Sequence, residues 1–216
     1  MIWVRYAVAL IAAYLLGSIP MGYITIKLFK NIDIRRIGSG HTGGSNVLRA
    51  AGLLPAGLTV LGDFVKGYGA VALAKTLVPD VPAVAALAAL SAVVGHDCSI
   101  LLGFKGGVGT VTTVGSGVAL MPIGVGASAL VGGLVVLVWK YTSLGSLTMA
   151  AVLPLACLIG ALVGAWPPSY LIFALGTSAL SIWALRANIG RLRKGTERKL
   201  GQTIPHGESD VSSEKP

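Results

Sequence analysis

The sequence predicts an all-α, polytopic integral membrane protein with about seven transmembrane helices and its motif loops on the cytoplasmic face. Three observations carry this expectation. Of 216 residues, 54% are hydrophobic and 12% charged, and the mean hydropathy is +0.80, whereas a soluble domain carries about 25% charged residues. Apolar runs of membrane-spanning length recur along the chain. The cations sit beside these runs, as topology signals do, rather than covering one solvated face. That placement argues against a nucleic-acid partner despite the formal charge of +9. The 30 glycines suit helices packed closely in lipid, and Gly160 with Gly164 reads as a small-xxx-small packing pair. Cys98 and Cys157 are the only cysteines, so neither a disulfide framework nor a paired-cysteine metal site is expected.

A helix needs roughly 20 apolar residues to cross the hydrocarbon core. Candidate runs lie at about 4–28, 51–77, 82–103, 108–139, 144–166 and 168–187. The first contains Arg5 and has no clear small-residue cleavage site, so it is expected to remain as an uncleaved helix. Lys27, Lys30, Arg35, Arg36 and Arg49 put the first loop in the cytoplasm and the N-terminus outside. Lys105 puts the loop after the third run inside, and the cations between Arg186 and Lys199 do the same for the tail. An outside N-terminus with an inside C-terminus requires an odd number of crossings. The long 108–139 run supplies the extra one, because Pro122, flanked by Gly124 and Gly126, divides it. Seven crossings follow.

Two domains are expected: a membrane-embedded unit over 1–200, and a polar tail over 201–216 too poor in apolar residues to pack. The loops at 30–49, 95–109 and 140–143 and the 186–200 segment then share the cytoplasmic face, as in an interfacial enzyme rather than a pore.

The most informative of these is the stretch Ile37–Arg49, polar and glycine-rich, wedged between hydrocarbon-length runs. Glycines such as Gly38 and Gly40 let the backbone approach a ligand, and successive N–H groups in such turns form an anion nest. Ser39, Thr42, Ser45 and Asn46 add side-chain donors, and Arg49 can clamp a phosphate with its planar fork. The second constellation, Gly95-His96-Asp97-Cys98 followed by Gly103-Phe104-Lys105-Gly106-Gly107-Val108-Gly109-Thr110, again sets glycines beside a cation. It lacks the Gly-Lys-Ser/Thr ending of a Walker A loop, so nucleotide hydrolysis is disfavoured. A phosphate cradle with Lys105 as a point charge is the reading, and His96 is a candidate substrate contact. Asp63 and Lys66, three residues apart inside an apolar run, should pair, since an isolated charge at mid-bilayer costs about 2.5–3.5 kcal/mol. Ser143 lies at the same inner edge, and the tail arginines read as cations attracted to anionic lipid. No Ser–His–Asp triad, zinc site or carboxylate pair stands out.

The motifs GSGHTGGSNVLRA, GDFVKG, GHDCSILLGFKGGVGT, KYTSL and NIGRL occur in the order and spacing of the bacterial acyl-phosphate:glycerol-3-phosphate acyltransferases. The chain resembles this family, the PlsY family, over nearly its whole length to about residue 198. The resemblance implies a seven-helix enzyme of the bacterial inner membrane, taking part in the first step of phospholipid synthesis. It would move an acyl group from acyl phosphate to sn-glycerol 3-phosphate, giving lysophosphatidic acid and phosphate. No metal, no cofactor and no obligate protein partner are implied; the partners are the two small-molecule substrates and membrane lipids. Carried onto matching positions, Ser39, Arg49 and Lys105 would be catalytic. Gly38, Gly40, Ser45, Asn46, His96, Gly106, Gly107, Ser143 and Asn188 would bind substrate. Catalysis would rest on positioning and charge stabilisation, with the substrate's own phosphate as proton acceptor.

The chain departs from the family pattern at three kinds of position. Val108 stands where a second lysine is usual, His41 where asparagine is usual, and Leu185 where a tail histidine is usual, with Ala187 also differing. Two other readings stay open on the sequence: a divergent paralogue with another phosphorylated acceptor, and a non-catalytic lipid- or acyl-phosphate-binding protein or small transporter. A transporter should carry polar residues at mid-membrane in several spans and often repeat symmetry, and only Asp63 and Lys66 qualify here.

Overall fold

The structure is a computed structural model that describes residues 1–202; the expected tail therefore lies outside the described residues except for Gly201 and Gln202. Among the described residues the chain is helical with no strand. In order, α1 spans Ile2–Ser18, α2 Met21–Lys30, α3 Gly44–Ala51, α4 Leu53–Leu77 and α5 Pro82–Asp97. They are followed by α6 Thr110–Leu120, α7 Pro122–Trp139, α8 Thr142–Leu162, α9 Leu171–Ala184 and α10 Arg186–Arg193.

The expected division of the 108–139 run falls at its proline: Pro122 opens α7, with Met121 alone between it and the end of α6. The first run also breaks at a proline, because Pro20 cannot continue the ladder of α1. The carbonyls near that break find side-chain donors, Ser99 Oγ bonding Ser18 O at 2.6 Å and Lys66 Nζ bonding Ile19 O at 2.7 Å. Such substitution is what a low-dielectric surround demands of broken helices.

Four helical stretches are long and apolar enough to cross a bilayer: Ile2–Lys30, Pro82–Leu102, Pro122–Trp139 and Thr142–Leu162. Pro168–Ala184 together with Arg186–Arg193, bent by 59°, makes a fifth. Two further expected crossings are less simple: α4 carries Asp63, Lys66 and Lys75, and α6 has only 11 residues. At 1.5 Å per residue α6 is about 16 Å long, short of the roughly 30 Å core.

Helices α1, α4 and α5 pack together through alanines and valines, including Ala13, Ala70, Ala88 and Ala92. A second core centres on Phe173, Met121, Leu153 and Val93, drawn from α5, the α6–α7 junction, α8 and α9. Close crossings use glycine: a Cβ on Gly67 of α4 would overlap the Thr112 carbonyl of α6, and one on Gly115 of α6 the Phe64 carbonyl of α4. The expected Gly160/Gly164 pair does not join two helices. Gly160 is covered by the Trp166 ring, whose Nε1 donates to Cys157 O at 2.9 Å, and Gly164 lies beyond α8 in a turn at φ +74°. Trp166 thus folds back over the face that the small residues vacate.

Candidate active site

A cavity of about 310 Å³ opens where the Ile37–Arg49 stretch, α4, α6, α7, α8, α10 and the following segment meet. One part of its wall is polar: Ser39, His41, Ser45, Asn46, Arg49, Ser143, Asn188 and Arg191. Another is apolar, formed by Val111, Val114, Ala129, Gly133, Val136 and Met149.

The first loop is positioned by its own polar groups. Asp33 accepts from Arg35 N at 3.0 Å and pairs with Arg35 Nη2 at 2.7 Å, so the guanidinium holds the Asp33 carboxyl below the usual carboxylate range. Gly38 and Gly40 then take left-handed φ of 59° and 73°, which side-chain-bearing residues rarely adopt. Asn46, on the first turn of α3, clasps the loop: its Nδ2 donates to Ile37 O at 2.9 Å and His41 O at 3.0 Å. Its Oδ1 accepts from Ser39 N at 3.4 Å. The amide expected to bind substrate is engaged in holding the loop. Arg49, one turn further, is 9% exposed, and its Nε has no hydrogen-bond partner among the described residues. Burial pushes its guanidinium below its usual value, the Arg198 charge adds to this, and Glu197 opposes. A buried cation with an open donor is poised for an anion.

The second loop is built differently. Gly106 N donates to Asp97 O and Gly107 N to His96 O, both at 3.1 Å, so these N–H groups are engaged by the end of α5. Neither glycine lines the cavity, nor do Gly38, Gly40 or Lys105, which is exposed. Val108 and Leu185 do line it, as does His41, so three departures from the family pattern lie on the cavity wall.

Beneath this loop the expected Asp63–Lys66 pair is present, with Lys66 Nζ 2.9 Å from Asp63 Oδ1. Sequence reasoning did not foresee the third member. Lys66 Nζ also lies 2.9 Å from His96 Nδ1. His96 Nδ1 also lies 3.3 Å from Asp63 Oδ1, so the three side chains form one buried cluster. Asp63 and His96 both reach the cavity wall.

The third cluster was missed as well. Glu197 accepts from Ser143 Oγ at 2.8 Å, Asn188 Nδ2 at 2.7 Å and Arg191 Nε at 2.8 Å. Its side chain is only 5% exposed. Leu200 N donates to Lys140 O at 2.6 Å, pinning the segment against the α7–α8 turn. Arg191, read from sequence as a lipid-facing cation, lines the cavity instead. The available signal was Glu197 itself, a lone carboxylate among the cations from Arg186 to Lys199. Thr110 Oγ1 and Ser146 Oγ, 2.9 Å apart, complete a hydroxyl pair on the wall between the polar and apolar parts.

The family model described as glycerol-3-phosphate acyltransferase matches residues 7–195. A glycerol-3-phosphate acyltransferase of Alkaliphilus metalliredigens is 40% identical over 193 residues, covering 89% of this chain and 95% of the relative. Glycerol-3-phosphate acyltransferase 2 of Moorella thermoacetica is 44% identical over 198 residues, covering 91% and 98%. The crystal structure of PlsY, an integral membrane glycerol 3-phosphate acyltransferase in its glycerol 3-phosphate form, superposes with a TM-score of 0.82 at 36% identity. That match covers 91% of this chain and 96% of the other. With likeness of sequence and fold over nine-tenths of its length, this chain belongs to the glycerol-3-phosphate acyltransferase family of integral membrane enzymes.

Proposed function

We propose that the protein transfers an acyl group from acyl phosphate to sn-glycerol 3-phosphate, releasing lysophosphatidic acid and phosphate. The observation that carries this reading is the two-natured cavity. Its polar wall presents Arg49 with an unpartnered Nε, and its other wall is lined by valines and small residues of α6 and α7. One substrate would bring a phosphate and an alkyl tail, the other a second phosphate; the two walls fit those chemistries.

In this reading Ser39 and Arg49 hold the phosphate of the reacting acyl donor, and Ser45, Ser143 and Asn188 complete the polar wall. Asn46, Gly38 and Gly40 set the loop that carries Ser39. His96 and the backbone of Gly106 and Gly107 form the platform beneath. Lys105, exposed at the loop tip, draws anionic substrates toward the site through its charge. The membrane-embedded unit spans 1–200 and crosses the bacterial inner membrane seven times, counting α1 with α2 as one crossing. The N-terminus is outside, and the lysine and arginine bias of the loops supports the cytoplasmic placement of the cavity.

The test is direct acylation by the purified protein with palmitoyl phosphate and glycerol 3-phosphate. Lysophosphatidic acid and inorganic phosphate are expected in equal amounts. Product from palmitoyl-CoA but not from palmitoyl phosphate would overturn the donor, and no acylated product from any donor would overturn the reading.

A further inference from the structure

We propose that Arg191 binds the phosphate of the acyl acceptor. This rests on the acyltransferase reading above, in which Arg49 holds the phosphate of the acyl donor. Two phosphates brought into one cavity repel each other, and each needs a cation of its own close by. The wall supplies guanidiniums from separate elements: Arg49 on α3, Arg191 on α10 and Arg198 on the segment that follows α10. Only two carboxylates line the same wall among the described residues, and one of them, Asp63, is paired with Lys66. Three guanidiniums thus face Glu197 alone, a surplus of positive charge that suits more than one anion.

Arg191 is set for binding rather than for holding the fold. Its Nε donates to Glu197 Oε2 at 2.8 Å. That contact uses one of the five N–H donors of a guanidinium. Glu197 is fastened in turn, because its Oε1 accepts from Ser143 Oγ of α8 at 2.8 Å and from Asn188 Nδ2 of α10 at 2.7 Å. A guanidinium pinned at Nε keeps its planar fork in one orientation, so the substrate does not have to order it on arrival. Asn188 stands one helical turn before Arg191 on the same face of α10, and both line the cavity. The neighbouring Glu197 charge offsets much of the long-range pull of Arg191. What remains is short-range, a pair of parallel bonds that a compact phosphate can accept.

Exposure decides which phosphate each arginine takes. Arg49 is buried, whereas the Arg191 side chain is 33% exposed. Helix α10 also turns away from α9 by 59°, leaving the direction of that apolar helix. The acyl donor is held by its alkyl tail and reaches the site from the apolar wall, so a buried cation serves it. The acceptor is a small, water-soluble anion that enters from solvent, and Arg191 is the fixed cation on that side.

The experiment measures kcat and both KM values with palmitoyl phosphate and glycerol 3-phosphate for the wild type, Arg191→Gln and Arg191→Lys. Arg191→Gln should raise KM for glycerol 3-phosphate by roughly 10- to 100-fold, the worth of a charge-assisted hydrogen bond. Its kcat and its KM for palmitoyl phosphate should stay within about twofold of wild type, with the thermal midpoint in detergent unchanged. Arg191→Lys keeps a charge beside Glu197 but loses the fork, and should raise KM for glycerol 3-phosphate about three- to fivefold, the worth of one ordinary hydrogen bond. If Arg191→Gln does not fold, the same split of KM values in Arg191→Lys decides. An arginine that only braces the fold would instead shift both KM values, kcat and the thermal midpoint together. That joint shift, an unchanged KM for glycerol 3-phosphate, or a rise confined to palmitoyl phosphate would overturn the role of Arg191 and leave the acyl transfer standing. A wild type that forms no lysophosphatidic acid would overturn both.

Discussion

The segments around Gly38–Gly43 and Gly106–Gly107 look alike in sequence and differ in how they use glycine, although Gly103 and Gly109 flanking the second also take left-handed φ and Gly44 after the first packs against Val60. In the first, Gly38 and Gly40 turn the backbone through left-handed φ, and a Cβ on Gly43 would meet nothing within 4 Å. Its contribution to the cavity is made by side chains, Ser39, His41, Ser45 and Arg49. In the second, a Cβ on Gly106 would overlap the His96 carbonyl, and one on Gly107 the His96 ring. Here glycine permits contact: the loop lies flat on the end of α5 and directs the packing of His96 above the Asp63–Lys66 pair. A glycine-rich motif beside a cation can therefore be a turn that presents donors or a seal that closes a buried ionic cluster. Only the atoms that a Cβ would meet tell them apart.

That contrast breaks most readily at Gly106. Gly106→Ala must displace backbone rather than a flexible side chain, and overpacking of this kind costs about 1–3 kcal/mol or more. The expected outcome is loss of most acyltransferase activity together with a lowered thermal midpoint in detergent. Wild-type values for both would mean that the second loop does not bear on α5 as described.

A smaller effect is expected in the first loop, where function lies in the side chains. Arg49→Lys removes the fork that leaves Nε open to an anion and should reduce kcat/KM by roughly 10- to 100-fold, the worth of a charge-assisted hydrogen bond. Stability should change little. Arg191→Lys keeps a charge beside Glu197 and should lose less, and equal losses in the two variants would assign Arg49 to topology alone. The smallest effect is expected for Gly43→Ala, at φ −78° and in open space. Activity should stay within about twofold of wild type; a large loss would show that the first loop also uses glycine for close contact, and the contrast between the loops would collapse.

Much of this molecule is legible in its sequence because a bilayer leaves few options. Apolar length, the proline at 122 and the placement of lysine and arginine are local quantities, and the helix boundaries follow them closely. The Asp63–Lys66 pair was legible for the same reason: an unpaired charge in hydrocarbon is too costly, and only a neighbour on the same helix face is near by necessity. The motif residues Ser39, Ser45, Asn46, Arg49, His96, Ser143 and Asn188 do meet at one cavity.

What only the tertiary structure decided is how each polar group is engaged once distant segments meet. Asn46 is a loop clasp, the N–H groups of Gly106 and Gly107 are bonded to α5, Lys105 is exposed and not part of the cavity wall, and Glu197 gathers Ser143, Asn188 and Arg191. None of these follows from composition or spacing, because a hydrogen bond depends on distances of a few tenths of an ångström between segments up to 84 residues apart, as Tyr14 Oη and Cys98 O are. Sequence determines that the chain is built of apolar helices with glycine- and cation-bearing loops between them. The fold decides which of them remain free to meet a substrate.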